Sequence, residues 1–121
     1  MGKMIDSYAK KRKHRICFIL DKDYEKGSLI EADVAINFSV PESAVSNIKL
    51  ALENNIPVVC GTTAWLDNMD KVKEKCKEKK GSFLYSENFN IGMNILFNLN
   101  THLAKIINEK IYSRFIEEIH H

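Results

Sequence analysis

Residues 33–38 read Asp-Val-Ala-Ile-Asn-Phe and run straight into Ser39-Val-Pro-Glu42. A short apolar run that ends at a helix start is half of a strand–helix–strand unit, and the fold is read from it. The run predicts a strand. Ser39 and Glu42 have the spacing of a capping box, with Ser39 as N-cap and Glu42 reaching back from N3. Behind them Ala44, Val45, Ile48, Ala51 and Leu52 recur at helical spacing and predict one apolar face, with a stop at Asn54-Asn55. Residues 57–60, Pro-Val-Val-Cys, then predict the next strand, short and continuously apolar.

The same alternation extends in both directions. Residues 82–85 (Ser-Phe-Leu-Tyr) and 15–20 (Arg-Ile-Cys-Phe-Ile-Leu, closed by Asp21) predict two more strands. Short apolar runs bounded by turn residues suit strands buried on both faces, as in a parallel sheet. Leu66, Met69, Val72 and Cys76 predict a helix face with lysines and glutamates opposite it. A longer helix is predicted from Ile91 to about Asn108, with the stripe Ile91, Ile95, Leu99, Leu103 and Ile106. Met4, Ile5 and Tyr8 predict another over residues 2–13. Strands alternating with helices imply right-handed crossovers and an open, mostly parallel α/β sheet.

Composition agrees with one modest domain. The chain has 121 residues, 45% hydrophobic and 28% charged, with a formal net charge of +2. That charge is too small to imply a nucleic-acid partner. The cluster Lys10-Lys11-Arg12-Lys13-His14-Arg15 reads as the solvated end of a helix, where cations suit the negative end of the dipole. No apolar run reaches the length of a membrane span, and the N-terminus has no signal-type apolar core. Cys17, Cys60 and Cys76 are odd in number and widely spaced, which argues against a disulfide framework or a CxxC metal site. They read as small apolar side chains in a reducing cytosol, so a cytoplasmic location without a metal is expected.

In open α/β sheets ligands bind beyond the carboxyl ends of the strands. That rule selects Asp21-Lys22, Phe38-Ser39, Gly61-Thr62-Thr63 and Ser86-Glu87-Asn88-Phe89. Gly61 permits close approach of a ligand to the backbone, and the threonines add hydroxyls and amides; a simple strand-to-helix turn with Thr as N-cap reads equally well. Asp21 stands where an acid reads the ribose hydroxyls of NAD, while Lys22 suits a 2′-phosphate; both also read as solvated loop charges. Gly2 is either a late glycine of a phosphate-binding turn or an ordinary second residue. His14 and His102 read as solvated. Trp65 is expected to pack at a helix start, and Asn88-Phe89 to belong to a capped loop before the long helix. Glu117-Glu-Ile-His-His121 closes the sequence, with imidazoles suited to acid–base chemistry.

Taken in order, Ala32–Ala44, Pro57–Trp65, Ser86–Asn94 and Glu117–His121 resemble the 4-hydroxy-tetrahydrodipicolinate reductase (dihydrodipicolinate reductase) family of lysine and diaminopimelate biosynthesis. The combination of Gly-Thr-Thr, Asn-Phe and Glu-x-His-His carries the resemblance, which covers essentially the whole chain. It implies a Rossmann-type doubly wound, mostly parallel sheet, truncated at the N-terminal strand, followed by the start of a C-terminal substrate domain. Residues 1–90 are expected to be a partial NAD(P)-binding domain, and residues 91–121 a connecting helix and the first strand of the substrate and tetramerisation domain. The resemblance implies reduction of a small dicarboxylate substrate with NADH or NADPH in an enzyme that is a homotetramer when intact. It places Gly61, Thr62 and Thr63 on the nicotinamide ribose and pyrophosphate side, Ser86, Asn88 and Phe89 against the nicotinamide, Asp21 and Lys22 at the adenosine ribose, and Phe38 and Ser39 along the adjacent strand end. His120 matches the proton-donating histidine and His121 one that holds a substrate carboxylate.

Two residues depart from the family pattern. Ala64 stands where glycine is usual, and Asn90 where a small serine or alanine is common. The strand and first glycines of the dinucleotide fingerprint, and the lysine and Ser-Gly-Thr loop beyond the histidines, are not in this sequence. The chain is therefore expected to be an internal part of a reductase and not competent alone. The alternatives are a non-catalytic remnant or partial nucleotide-binding module, and a His pair that is the stub of a purification tag.

Overall fold

The computed structural model describes residues 1–107 together with 115, 117 and 119. The described elements are, in chain order, α1 (Gly2–Lys11), β1 (Phe18–Asp21), β2 (Tyr24–Gly27), β3 (Ala35–Asn37), α2 (Pro41–Glu53), β4 (Val58–Cys60), α3 (Met69–Glu78), β5 (Phe83–Tyr85) and α4 (Ile91–Ile106). They fall into two compact units, the first spanning Met1–Glu87 and the second beginning at Asn88.

The core of the first unit is a three-stranded parallel sheet of order β3-β4-β5. Its register aligns Ala35 with Val58 and Phe83, Ile36 with Val59 and Leu84, and Asn37 with Cys60 and Tyr85. Successive side chains of a strand point to opposite faces, so each of these rows lies on one side of the sheet. The rows that begin with Ala35 and Asn37 meet α2 and α3. There Ala44, Ile48, Ala51, Leu52, Ile56, Val58, Cys60, Trp65 and Val72 form the buried cluster. The apolar face read from α2 is thus the face it buries, with Val45 partly covered beside it.

The expectation that the strands are buried on both faces is corrected for the outer two. Ile36 and Leu84, on the other side of the sheet, are 52% and 56% exposed. Continuous apolar sequence does not distinguish a residue under a helix from one beside it. Met4, Ile5 and Tyr8 of α1 join Ile36 around a shallow apolar groove of about 390 Å³ on that side.

The largest departure concerns residues 15–20. They contribute not a strand of the parallel sheet but β1, which pairs antiparallel with β2 from Phe18–Gly27 to Asp21–Tyr24. β2 was not read from the sequence, because Tyr24-Glu25-Lys26-Gly27 is mostly polar and is exposed throughout. The hairpin is closed at its open end by Ser28 N–H on the Cys17 carbonyl at 2.9 Å. Gly27, at φ 96°, is required there, since a Cβ would strike the Cys17 carbonyl oxygen. Cys17 accordingly lies just outside β1 and is half-buried.

Two helix starts also differ. Pro41 occupies the first turn of α2 and Val40 takes the cap position, with no side-chain cap hydrogen bond. Proline's fixed φ and missing N–H suit the first helical position. The capping box of Ser39 and Glu42 is therefore not formed. α3 begins at Met69, after a 3₁₀ turn over Leu66–Asn68, and Leu66 stays exposed.

The long helix was predicted closely. α4 starts after Asn90, whose side-chain oxygen accepts from Met93 N–H at 3.2 Å. Its stripe of Ile91, Ile95, Leu99, Leu103 and Ile106 is exposed. No described helix is long and apolar enough to cross a membrane.

The core makes two predictions. Leu52 is fully buried, so Leu52→Ala is expected to cost about 3 kcal/mol in urea unfolding, through lost transfer energy and a residual cavity. The Tyr85 hydroxyl is buried without a hydrogen-bond partner among the described residues, and burial, followed by Glu87 and Cys60, raises its pKa above the usual 10.0. A phenol whose folded pKa is raised contributes stability that is complete below the unfolded value and lost as pH climbs through the folded one. Tyr85→Phe is expected to match or exceed the parent by up to about 1 kcal/mol near neutrality, and to lose that part of the alkaline destabilisation.

Candidate functional site

Parallel strands all end on one side, and the loops that leave β3, β4 and β5 are Phe38–Val40, Gly61–Thr63 and Ser86–Glu87. Backbone bonds continue the ladder past the last paired residues. Gly61 N–H donates to the Asn37 carbonyl at 3.0 Å, and Ser86 N–H to the Cys60 carbonyl at 3.2 Å. The side of the sheet chosen from the sequence is thus assembled within the first unit, with Phe38, Ser39, Gly61, Thr62, Thr63 and Ser86 at consecutive strand ends.

These residues differ in what they offer. The Phe38 ring lies against Gly61 so closely that a Cβ on Gly61 would overlap it. Glycine at 61 is needed for that approach. Thr62 is only 4% exposed, and its Oγ1 accepts the Ser39 N–H at 2.8 Å. Thr63, the next residue, is exposed. Ser39 Oγ donates to the Val40 carbonyl at 3.3 Å.

Trp65 holds this loop from below. Its indole Nε1–H donates to the Thr62 carbonyl at 2.6 Å, and its ring, 3% exposed, meets Phe83 and Tyr85 edge-on at centroid distances of 6.1 and 5.5 Å. A buried indole needs a partner for its one donor, and the loop carbonyl supplies it. The sequence placed Trp65 at a helix start, which it occupies as cap of the 3₁₀ turn. Its role as anchor of the Gly-Thr-Thr loop was missed. The signal available was its position two residues beyond Thr63.

Asn37 was missed as well. It is a buried polar residue, 8% exposed, inside an apolar run. Its Nδ2 reaches the Ala44 carbonyl at 3.4 Å and Cys60 Sγ at 3.7 Å. It therefore ties the end of β3 to both α2 and β4.

Other expected site residues lie elsewhere. Asp21 and Lys22 sit at the tip of the β1–β2 hairpin, in a separate sheet; Lys22 N–H donates to Asp21 Oδ1 at 2.8 Å. Gly2 is the first residue of α1, with open space around its Cα, so nothing there requires a glycine. Asn88 and Phe89 belong to the second unit. Asn88 Oδ1 accepts from Asn90 N–H at 2.7 Å and its carbonyl from Asn94 Nδ2 at 3.0 Å, which makes the capped loop expected before α4. His120 and His121 lie outside the described residues.

Comparison with known proteins shows the family. Residues 1–89 match the family described as dihydrodipicolinate reductase, N-terminus. Over the whole chain the sequence is 47% identical to a 4-hydroxy-tetrahydrodipicolinate reductase of Christiangramia forsetii, of which it spans 52%. It is 37% identical to the reductase of that name from Methanopyrus kandleri over 75% of this chain and 34% of that one, and 36% identical to one from Methanocaldococcus jannaschii over 74% and 32%. The chain thus spans about half the length of the first of these relatives and about a third of the other two is matched. The stretch corresponds to the family's N-terminal part, which corrects the expectation of an internal portion.

Ala64, where the sequence departs from the usual glycine, has φ 58°. That left-handed conformation costs an alanine roughly 1 kcal/mol and a glycine almost nothing. Ala64→Gly is therefore expected to raise the thermal midpoint, with a gain of about 1 kcal/mol in chemical unfolding. A loss of stability would show that the Ala64 methyl makes contacts worth more than the strain.

Proposed function

Because the chain belongs to the dihydrodipicolinate reductase family, we propose that it forms the nucleotide-binding part of an enzyme that reduces 4-hydroxy-tetrahydrodipicolinate with NADH or NADPH. The observation that carries this reading is the group of consecutive strand-end loops, Phe38–Ser39 and Gly61–Thr63, joined by the Ser39–Thr62 hydrogen bond. The carboxyl end of a parallel sheet is where α/β folds hold dinucleotides.

The residues present fit such a ligand. Thr63 presents an exposed hydroxyl beside the turn where Phe38 packs on Gly61, and Ser39 presents a partly exposed one on the neighbouring loop. When bound, a reduced nicotinamide supplies a hydride. Thr63 and Ser39 hydrogen-bond the sugar and phosphate oxygens, and Phe38 and Gly61 shape the wall beside them. Ser86 borders the same edge from β5. On the resemblance alone, Asp21 and Lys22, at the tip of the separate β1–β2 hairpin, read the adenosine ribose, with Asp21 favouring free hydroxyls and Lys22 a 2′-phosphate. On the resemblance, His120 donates the proton that follows hydride transfer, and His121 holds a carboxylate of the small dicarboxylate substrate. An imidazolium suits the first task because its pKa lies near neutrality.

A second reading, a nucleotide-binding module without turnover, is favoured by the span of the chain, about half of the Christiangramia forsetii relative. One measurement addresses both. Trp65 is the single tryptophan, so energy transfer from it to reduced nicotinamide reports binding. Titration of the chain with NADH and with NADPH is expected to give saturable transfer, weakened by Thr63→Val. Oxidation of the bound nucleotide on adding the dicarboxylate substrate identifies the reductase, and binding without oxidation the module. No saturable transfer with either nucleotide would overturn both.

A further inference from the structure

Thr62 and Thr63 are the same residue type side by side, and the fold gives them opposite roles. The Thr63 side chain is exposed, whereas Thr62 is 4% exposed and turned into the sheet end. Thr62 Oγ1 accepts the Ser39 N–H at 2.8 Å, across a separation of 23 residues. The Thr62 carbonyl is meanwhile held by Trp65 Nε1–H at 2.6 Å. One residue is thus fixed through its side chain to the loop after β3 and through its backbone to Trp65, which packs on Phe83 and Tyr85 of β5.

We propose that Thr62 is a positioning residue: its hydroxyl ties the β3 and β4 loops together so that Ser39 and Thr63 present their hydroxyls at a fixed separation to the nucleotide. The inference rests on the nucleotide-binding reading above and deepens it. The physical reason is preorganisation. A short loop that ends a three-residue strand has few bonds of its own, and ordering it at the moment of binding would subtract from affinity. Satisfying the partly buried Ser39 amide inside the protein removes that cost before the ligand arrives. It also means that the Ser39 backbone N–H is committed to Thr62 and that Ser39 meets the ligand through its side chain. Trp65 makes the tie one-sided: with the Thr62 carbonyl anchored to the indole, movement of the hydroxyl carries the β3 loop and not the β4 loop.

The test compares Thr62→Val, which keeps the shape and removes the acceptor, with Thr62→Ser, which keeps the oxygen, and with Thr63→Val. Each is titrated with NADH and NADPH by energy transfer from Trp65, and exchange of the Ser39 amide proton is followed by NMR in the free protein. Thr62→Val is expected to bind about tenfold more weakly, the effect of one lost hydrogen bond, and to release the Ser39 amide to exchange. Thr62→Ser is expected to restore both. Thr63→Val is expected to weaken binding while Ser39 stays protected. Should Thr62→Val fail to fold, Thr62→Ala, which also removes the acceptor and keeps the Trp65 donor, is expected to show the same weaker binding and the same release of the Ser39 amide.

Parental affinity in Thr62→Val with a freely exchanging Ser39 amide would overturn the proposal, because the tie would then be irrelevant to the ligand. Weaker binding with an unchanged Ser39 amide would also overturn it, because Thr62 would then act by direct contact. Absence of binding by the parent chain is a separate outcome. It overturns the nucleotide-binding reading and this inference with it.

Discussion

β4 is the strand on which the first unit is built. It is paired on both sides, to β3 and to β5, and two of its three residues, Val58 and Cys60, are buried. They lie in one cluster with Ile48 and Leu52 of α2 and Val72 of α3. Pro57 and Gly61 bracket the strand through backbone bonds, the Pro57 carbonyl taking the Ala35 N–H and Gly61 N–H reaching Asn37. A strand so short has little intrinsic stability, and its place is set by apolar burial and by ladders on both edges.

The consequence for function is that the Gly-Thr-Thr loop leaves the most constrained strand of the unit. Trp65 extends this constraint past the end of β4. It is buried against Phe83 and Tyr85 of β5 while its indole holds the Thr62 carbonyl. Core packing and site geometry are therefore one structure here. A buried aromatic packed on the sheet also holds the backbone of the loop that leaves β4, and Thr62 links that loop to Ser39.

The readable and the unreadable elements divide on physical grounds. α2 and α4 were legible because a helix that buries or presents one face repeats its apolar residues every three or four positions, and Ala44 to Leu52 and Ile91 to Ile106 do so. β3, β4 and β5 were legible as apolar runs closed by turn residues. β1 was legible as a strand but not in its pairing, because pairing depends on β2, whose Tyr-Glu-Lys-Gly sequence has no apolar pattern. Ser39 shows a local motif overridden from outside. Its spacing to Glu42 fits a cap, yet Pro41 sets the helix start and Thr62 takes the Ser39 amide. The Gly-Thr-Thr segment was recognisable as a candidate site, while the opposite exposure of its two threonines was not.

The sequence by itself determined the helices, the strands of the parallel sheet, the parallel α/β class, the strand ends that are candidates for a ligand, and the family. These depend on local periodicity, on turn residues and on short ordered motifs, all of which are written along the chain. The tertiary structure alone decided that β1 turns back on β2, that Ile36 and Leu84 face outward, that Trp65 anchors a loop, and that Thr62 faces in while Thr63 faces out. Each of those outcomes depends on a partner distant in sequence, and a side chain's hydrogen-bonding capacity is committed only when folding brings that partner within reach.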